Sequence, residues 1–74
     1  MSQTTNHTLN LKIAEKIKQL RAVNNITLEV FYFDTGIHLA RIEQGKTNIT
    51  VSTLKRICDY FDLNLVDFFK NLEP

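Results

Sequence analysis

The chain has 74 residues, which is enough for one small domain, and its total of three glycine and proline residues excludes collagen-like and Pro/Gly-rich disordered chains. Its single cysteine cannot form an internal disulfide, and no apolar run reaches the roughly 18 residues of a membrane-spanning helix. The net charge of +1 conceals an uneven distribution, because residues 1–56 carry eight Lys/Arg and four Asp/Glu, whereas residues 57–74 carry one Lys and four acidic residues. The N-terminal sequence lacks a signal-peptide pattern, so we expect a cytoplasmic protein.

The first residues of the chain differ in pattern from those that follow. Residues 1–8 are polar and aperiodic, which predicts a disordered lead before a domain over residues 9–74. From Leu9 on, apolar residues recur at helical spacing, and Asn24-Asn25 is expected to end this first helix. The predicted buried stripe of the helix consists of Leu9, Ile13, Ile17 and Leu20.

Two short helices are predicted next. Thr27 is expected to cap a second helix over LEVFYFD, residues 28–34. The β-branched and aromatic residues of this segment also allow a strand, but a lone strand would have no pairing partner. The triplet Asp34-Thr35-Gly36 predicts a tight turn, and a third helix, IHLARIEQ, is expected to end at Gly45.

Two further helices complete the prediction. Thr50 or Ser52 would cap the fourth helix, and Asn64 with Asp67 three residues later would begin the fifth as a variant capping box. The residues predicted to be buried on these two helices are Val51, Leu54, Ile57, Cys58, Phe61, Leu65, Phe68, Phe69 and Leu72. We therefore predict an all-α fold, a compact domain of five helices.

The second and third predicted helices, joined by a tight turn that contains glycine, have the elements of a helix-turn-helix, whose second helix fits the major groove of DNA. Three stretches strengthen this interpretation: IAEKIKQLR, ITLEVF and LARIEQGKTNITVSTLKRICDYFDLNLVDFF. Together they make residues 13–69 resemble the lambda-repressor-like, Cro/repressor-type (XRE) helix-turn-helix family. Between Thr27 and the RIE triplet the chain is about three residues shorter than the family pattern, so either helix two or the first turn of helix three must be cut back.

The resemblance implies a sequence-specific DNA-binding transcriptional regulator, a repressor that binds double-stranded DNA as a homodimer on a palindromic operator. The dimer is expected to form through the side of helices four and five, whose acidic surface would face away from phosphate. By the same resemblance, Arg21 would pair with Glu43 and present a donor to phosphate. The other residues for which the resemblance implies DNA contact are Thr27 at the start of helix two, Thr35 and Gly36 in the turn, His38 and Arg41 on helix three, and Lys46, Thr47 and Asn48 in the loop after it.

A second hypothesis keeps the fold but changes the function. The chain would be a protein-interaction or antitoxin-like module in which DNA binding is weak or lost. The shortened helix-turn-helix favours it, and so do the seven aromatic residues, which cannot all point inward and therefore leave some exposed or covering a partner. Apart from either hypothesis, Arg41 could be a surface residue that pairs with a carboxylate, and His38 a surface or boundary residue.

Residues that could carry catalysis or bind a metal do not form a complete set. Asp34-Thr35-Gly36 spells the catalytic triplet of aspartic proteases, but that chemistry requires two carboxylates in apposed β-loops. Cys58 lies on a predicted buried stripe and is expected to be a core residue. Asp34 and His38 have helical spacing but lack a third ligand. We therefore predict no enzymatic activity, no cofactor and no metal site.

Overall fold

Five α-helices form the secondary structure of the computed structural model, which describes residues 2–45, 47–70 and 72, with side chains from residue 8 onward. The helices are α1 (Ser2–Val23), α2 (Leu28–Thr35), α3 (Leu39–Glu43), α4 (Val51–Tyr60) and α5 (Leu65–Lys70). The described residues contain no β-strand, which confirms the predicted all-α fold and excludes the strand considered for residues 28–34.

Helix α1 starts earlier than predicted. It includes residues 2–8, which belong to the segment where we expected a disordered lead. The segment contains neither proline nor glycine, the two residues that oppose a helix most strongly. Ile13 and Ile17 are buried as predicted, whereas Leu9 at the start of the predicted stripe is exposed. The division of the chain at residue 9 stays a prediction.

The end of α1 and the start of α2 follow the sequence pattern. The backbone N–H and the side-chain amide of Asn24 both donate to the carbonyl of Leu20, and Asn25 has a positive φ of 56°. These contacts end α1 at the predicted asparagine pair. The Oγ1 of Thr27 then accepts a hydrogen bond from the backbone N–H of Val30 at 3.1 Å, which confirms Thr27 as the N-cap of α2.

Helix α3 is shorter than predicted. It comprises five residues, whereas the sequence predicted a helix over IHLARIEQ. The reason lies in the turn, where Ile37 is buried and its N–H donates to the hydroxyl of Thr35, while the N–H of Leu39 donates to the carbonyl of Ile37, so residues 36–38 lie outside the helix. Helix α2 meanwhile extends one residue beyond its predicted end. The shortening of the helix-turn-helix therefore falls on helix three.

Helices α4 and α5 have the predicted caps, but two of the residues predicted to be buried on them are exposed. Thr50, and not Ser52, caps α4 by accepting from the N–H of Thr53. Asn64 accepts from the N–H of Asp67 at the start of α5. Of the residues predicted to be buried, Val51 is 72% exposed because it lies at the first position of α4, and Phe69 is 41% exposed because its neighbour on α5 occupies the core instead.

The core lies where α1, α2, α3, α4 and α5 meet. Helix α3 packs against α1 and α2, and α4 packs against α5. The fully buried aromatic rings are those of Phe31 and Phe68. The ring of Phe31 contacts Tyr60 and Phe61 of the α4 C-terminus, so α2 is held on both α3 and α4. This arrangement leaves one side of the α2–α3 pair facing solvent.

Candidate nucleic-acid interface

The turn between α2 and α3 is fixed by hydrogen bonds to Thr35 and by a left-handed glycine. The Oγ1 of Thr35 donates to the carbonyl of Phe31 at 2.8 Å and accepts from the N–H of Ile37 at 3.1 Å. Gly36 has a φ of 77°, a conformation that costs glycine little, and its N–H donates to the carbonyl of Tyr32. Thr35 and Gly36 therefore set the angle between the two helices, and DNA contact by them stays a prediction.

A guanidinium–carboxylate pair fixes α3 on α1. The Nε of Arg21 donates to Oε2 of Glu43 at 2.8 Å, and its Nη2 donates to Oε1 at 3.1 Å, in the parallel geometry that arginine forms with carboxylates. The Nη1 of Arg21 donates to the carbonyl of Ile26. The two side chains are only 18% and 9% exposed, and the hydrogen bond with Glu43 raises the pKa of Arg21. The predicted pair is thus confirmed, and it sets the position of α3.

The solvent side of α3 presents three residues. Leu39 and Ile42 point into the core and Glu43 is held by Arg21, which leaves Ala40, Arg41 and Gln44 exposed. Within the described residues, the side chain of Arg41 makes no hydrogen bond or ion pair, so its guanidinium is free to contact a ligand. Arginine forms bidentate hydrogen bonds with guanine in the major groove, and glutamine does so with adenine. Sequence reasoning missed Gln44, although the 3.6-residue period places it beside Arg41.

His38 does not project from helix three as predicted. It is the N-cap of α3, with φ −85° and ψ 84°, and its side chain makes no capping hydrogen bond. The imidazole ring instead stacks on Tyr32 of α2, with 4.3 Å between the ring centroids and 28° between the ring planes. The correction follows from the shortening of α3, because the helix begins one residue later than His38.

The remaining predicted DNA contacts lie at the start of α2 and in the loop before α4. Thr27 and Thr47 are exposed. Asn48 is also exposed, and its Oδ1 accepts from the Nδ2 of Asn10 at 2.7 Å, which ties the loop to α1. Lys46 lies outside the described residues. Arg41 and Thr27, the N-cap of α2, thus both belong to the α2–α3 pair. The guanidinium of Arg21 is instead bonded to Glu43 and Ile26 within the protein.

The residues considered for catalysis have structural partners. Asp34 lies in the last turn of α2, and its Oδ2 accepts a hydrogen bond from the hydroxyl of Tyr60 at 2.6 Å. Cys58 is buried, as predicted for a core residue, and burial raises the pKa of its thiol. In the part of the chain that the structure describes, no three His, Cys, Asp or Glu side chains come together as metal ligands.

This geometry defines a helix-turn-helix domain, in which a glycine turn joins two short helices and the second of them has a free arginine on its solvent side. The family model of the Cro/C1-type helix-turn-helix DNA-binding domain matches residues 16–71, so the chain belongs to that family. The match confirms the resemblance inferred from the RIE motif and its surroundings. Comparison with curated proteins and with solved structures gave no match. Among the described helices, none combines the length and apolarity needed to cross a membrane.

Proposed function

We propose that the protein is a sequence-specific transcriptional regulator that represses by binding, as a homodimer, to a palindromic DNA operator. The observation that carries this proposal is the unpaired Arg41 on the exposed side of α3, a helix that the Arg21–Glu43 pair holds in place. The helix that carries Arg41 is fixed in position, and a guanidinium has the donor geometry that guanine edges require.

The charge distribution supports a DNA-facing side and an opposite side. Helix α1 carries an excess of basic residues, whereas the segment from Asp59 to Lys70 carries Asp59, Asp62 and Asp67, all exposed, against one lysine. Phosphate would attract the basic residues of α1 and repel the acidic segment. We therefore assign the α5 side to the outside of the complex, and we assign the α2–α3 pair to the DNA on its helix-turn-helix geometry.

Exposed apolar residues support dimer formation on the α5 side. Val66 is 73% and Phe69 41% exposed on a helix of six residues. Covering such side chains with a second copy would remove apolar surface from water. A two-fold dimer of this kind would bind half-sites about one helical turn of DNA apart, roughly 34–36 Å.

Binding to DNA is tested by selection from random duplexes, followed by titration of the selected site over a range of salt concentrations. We expect a palindromic site and a steep loss of affinity with salt, because each neutralised phosphate releases counterions. Arg41→Gln should weaken binding and relax the preference at one base pair, by about tenfold or more. Lys70→Gln removes the same charge from α5 and is the matched control, which should bind as wild type does. Failure to retard any DNA at low salt would refute the proposal.

The dimer and the repression are tested separately. Val66→Asp should shift the sedimentation of the protein toward the monomer, whereas Val23→Asp, which alters an equally exposed residue on α1, should not. A reporter gene placed behind the selected site should be repressed by the wild type and released by Arg41→Gln. Activation of the reporter, or sedimentation that Val66→Asp leaves unchanged, would contradict the corresponding part of the proposal.

One observation favours the second function, an interaction or antitoxin-like module. Phe33 on α2 is 88% exposed, and the side chain of Val30, one turn earlier, is 46% exposed. An exposed phenylalanine beside a valine is the kind of apolar anchor that protein partners cover. This function would be supported by a stoichiometric partner that co-purifies with the wild type and with Val23→Ser but not with Phe33→Ser, together with no selected DNA site.

A further inference from the structure

We propose that Tyr32 positions the ring of His38 for base recognition, so that an aromatic stack in the turn, and not α3 alone, determines the base preference of this protein. The inference rests on the proposed DNA-binding function. It concerns the pair defined by the 4.3 Å stack between the last-turn tyrosine of α2 and the N-cap histidine of α3.

The first step of the argument is the small size of α3. Five residues span about 7.5 Å along a helix axis, little more than one turn, so few side chains of α3 can face a DNA groove. The solvent side of this helix offers two polar side chains, those of Arg41 and Gln44. A recognition surface of ordinary extent therefore needs a further polar group next to the helix, and His38 immediately precedes it.

The second step is that the nitrogens of His38 have no other task. Its side chain does not cap α3 and forms no hydrogen bond within the described residues. Stacking uses the face of an imidazole and leaves its edge free, and that edge carries one donor and one acceptor in the neutral ring. Guanine and adenine present acceptors and a donor in the major groove, so the edge of His38 is chemically suited to a base pair.

The third step is the rigidity of the platform under His38. The carbonyl of Tyr32 accepts a hydrogen bond from the N–H of Gly36 at 2.7 Å. The backbone of the tyrosine is therefore bonded directly to the turn. Arg41 lies three residues after His38, and its N–H donates to the carbonyl of His38 at 3.3 Å. His38 therefore directly precedes the helix that carries the free guanidinium and is joined to Arg41 by its backbone carbonyl. Tyr32 thus fixes in advance a ring that would otherwise lose rotational freedom on binding.

The test compares base preferences of four variants in the same selection experiment. His38→Ala should lose the preference at one base pair next to the position read by Arg41. Tyr32→Leu should weaken the preference at that same base pair about three- to tenfold, which corresponds to the ordering cost of one side chain, and leave the other positions and the salt dependence unchanged. Tyr32→Phe keeps the stacked ring and should restore the wild-type preference. Phe33→Leu, the neighbouring aromatic-to-leucine change, should have no effect.

The outcomes separate this inference from the proposed function. If the wild type selects a site but Tyr32→Leu has the same preference at every base pair, or loses affinity equally at all of them, the positioning role is wrong while DNA recognition stands. If Tyr32→Phe behaves like Tyr32→Leu, the stack is not what matters. If the wild type selects no site, the proposed function and this inference both fail. Circular dichroism of each variant checks that the fold is retained.

Discussion

Among the described residues, the ion pair that holds α3 joins distant parts of the chain, whereas the ion pairs of α4 and α5 join residues within one helical turn. Arg21 and Glu43 are 22 positions apart and mostly buried. Lys55–Asp59 and Lys70–Asp67 are pairs four and three residues apart whose side chains are at least half exposed. The long-range pair determines where α3 lies relative to α1. The short-range pairs lie on the surface of a single helix and do not determine its position.

This difference suits the α1–α3 region and the α4–α5 region to different functions. Removal of one partner from a buried pair leaves an uncompensated charge, so the α1–α3 contact is costly to change. Exposed pairs contribute little, so the α4–α5 surface can change without loss of the fold. A surface that reads DNA needs the first property, because base edges are recognised by side chains in fixed positions. A dimer surface on α5, which only has to cover apolar residues, does not need side chains in fixed positions.

The largest expected effect tests this contrast directly. Arg21→Ala should lower the free energy of unfolding by about 2–3 kcal/mol, somewhat less than for a fully buried pair, because the arginine keeps some contact with water. Lys55→Ala should change it by less than about 0.5 kcal/mol. Arg21→Lys keeps the charge but loses the parallel hydrogen bonds, and should fall between the two. Urea denaturation measures the free energy of unfolding of all three variants. Equal stability of Arg21→Ala and wild type would show that the buried pair matters no more than the exposed pairs.

The next effect compares the two glycines that flank α3. Gly36 and Gly45 have φ of 77° and 73°, so alanine at either position should cost about 1 kcal/mol in backbone strain. A Cβ on Gly36 meets open space, whereas a Cβ on Gly45 would overlap the side chain of Leu11 on α1. Gly45→Ala should therefore cost up to about 1 kcal/mol more, the cost of forcing that side chain out of its rotamer.

A double variant separates strain from overlap. Leu11→Ala in the Gly45→Ala background should remove the additional cost, and the same change in the Gly36→Ala background should not restore any stability. Thermal denaturation of the four proteins gives the comparison. If Gly36→Ala proves the more destabilising of the two single variants, the close approach of α1 to the end of α3 is not important.

A smaller effect distinguishes the caps of the two regions. Thr27→Ala and Asn64→Ala each remove a side-chain acceptor from a helix N-terminus, and each should cost about 1 kcal/mol. If the start of α2 lies against phosphate, only Thr27→Ala should also weaken DNA binding beyond what its lower stability explains. Titration of both variants with DNA, at a temperature where both are folded, makes this comparison. Equal affinities for DNA would show that Thr27 is not part of the interface.

The parts of the fold that could be predicted from the sequence are those set by local chemistry. Thr27, Thr50 and Asn64 are caps because their side chains satisfy N–H groups three residues away, a distance that any helix start imposes. Gly45 follows α3 because a left-handed residue ends a helix. The Arg21–Glu43 pair was inferred from the family resemblance, which supplied a contact that spacing alone does not give.

The parts that could not be predicted depend on how the helices are arranged in space. Helix α3 begins two residues later than predicted because Ile37 is buried in the turn, and periodicity treats that residue as one more member of an apolar stripe. The stack of Tyr32 on His38 depends on the angle between α2 and α3. The contact from Arg56 to the carbonyl of Thr35 depends on the approach of α4 to the turn, which the sequence does not encode locally.

The smallest expected effect concerns a contact that joins the two regions, the hydrogen bond from Tyr60 of α4 to Asp34 of α2. This bond holds the phenol in its neutral form and raises the pKa of Tyr60 above its ordinary value near 10. A group whose pKa is higher in the folded than in the unfolded state stabilises the fold fully below the unfolded value and loses that contribution as the pH rises through the folded value. Tyr60→Phe should therefore be less stable than wild type at pH 8, and the difference in unfolding free energy should shrink above pH 10. Asp34→Asn removes the charge that favours the neutral phenol and should show a weaker alkaline decline than wild type. If the difference between Tyr60→Phe and wild type is the same at both pH values, this hydrogen bond does not couple α2 to α4.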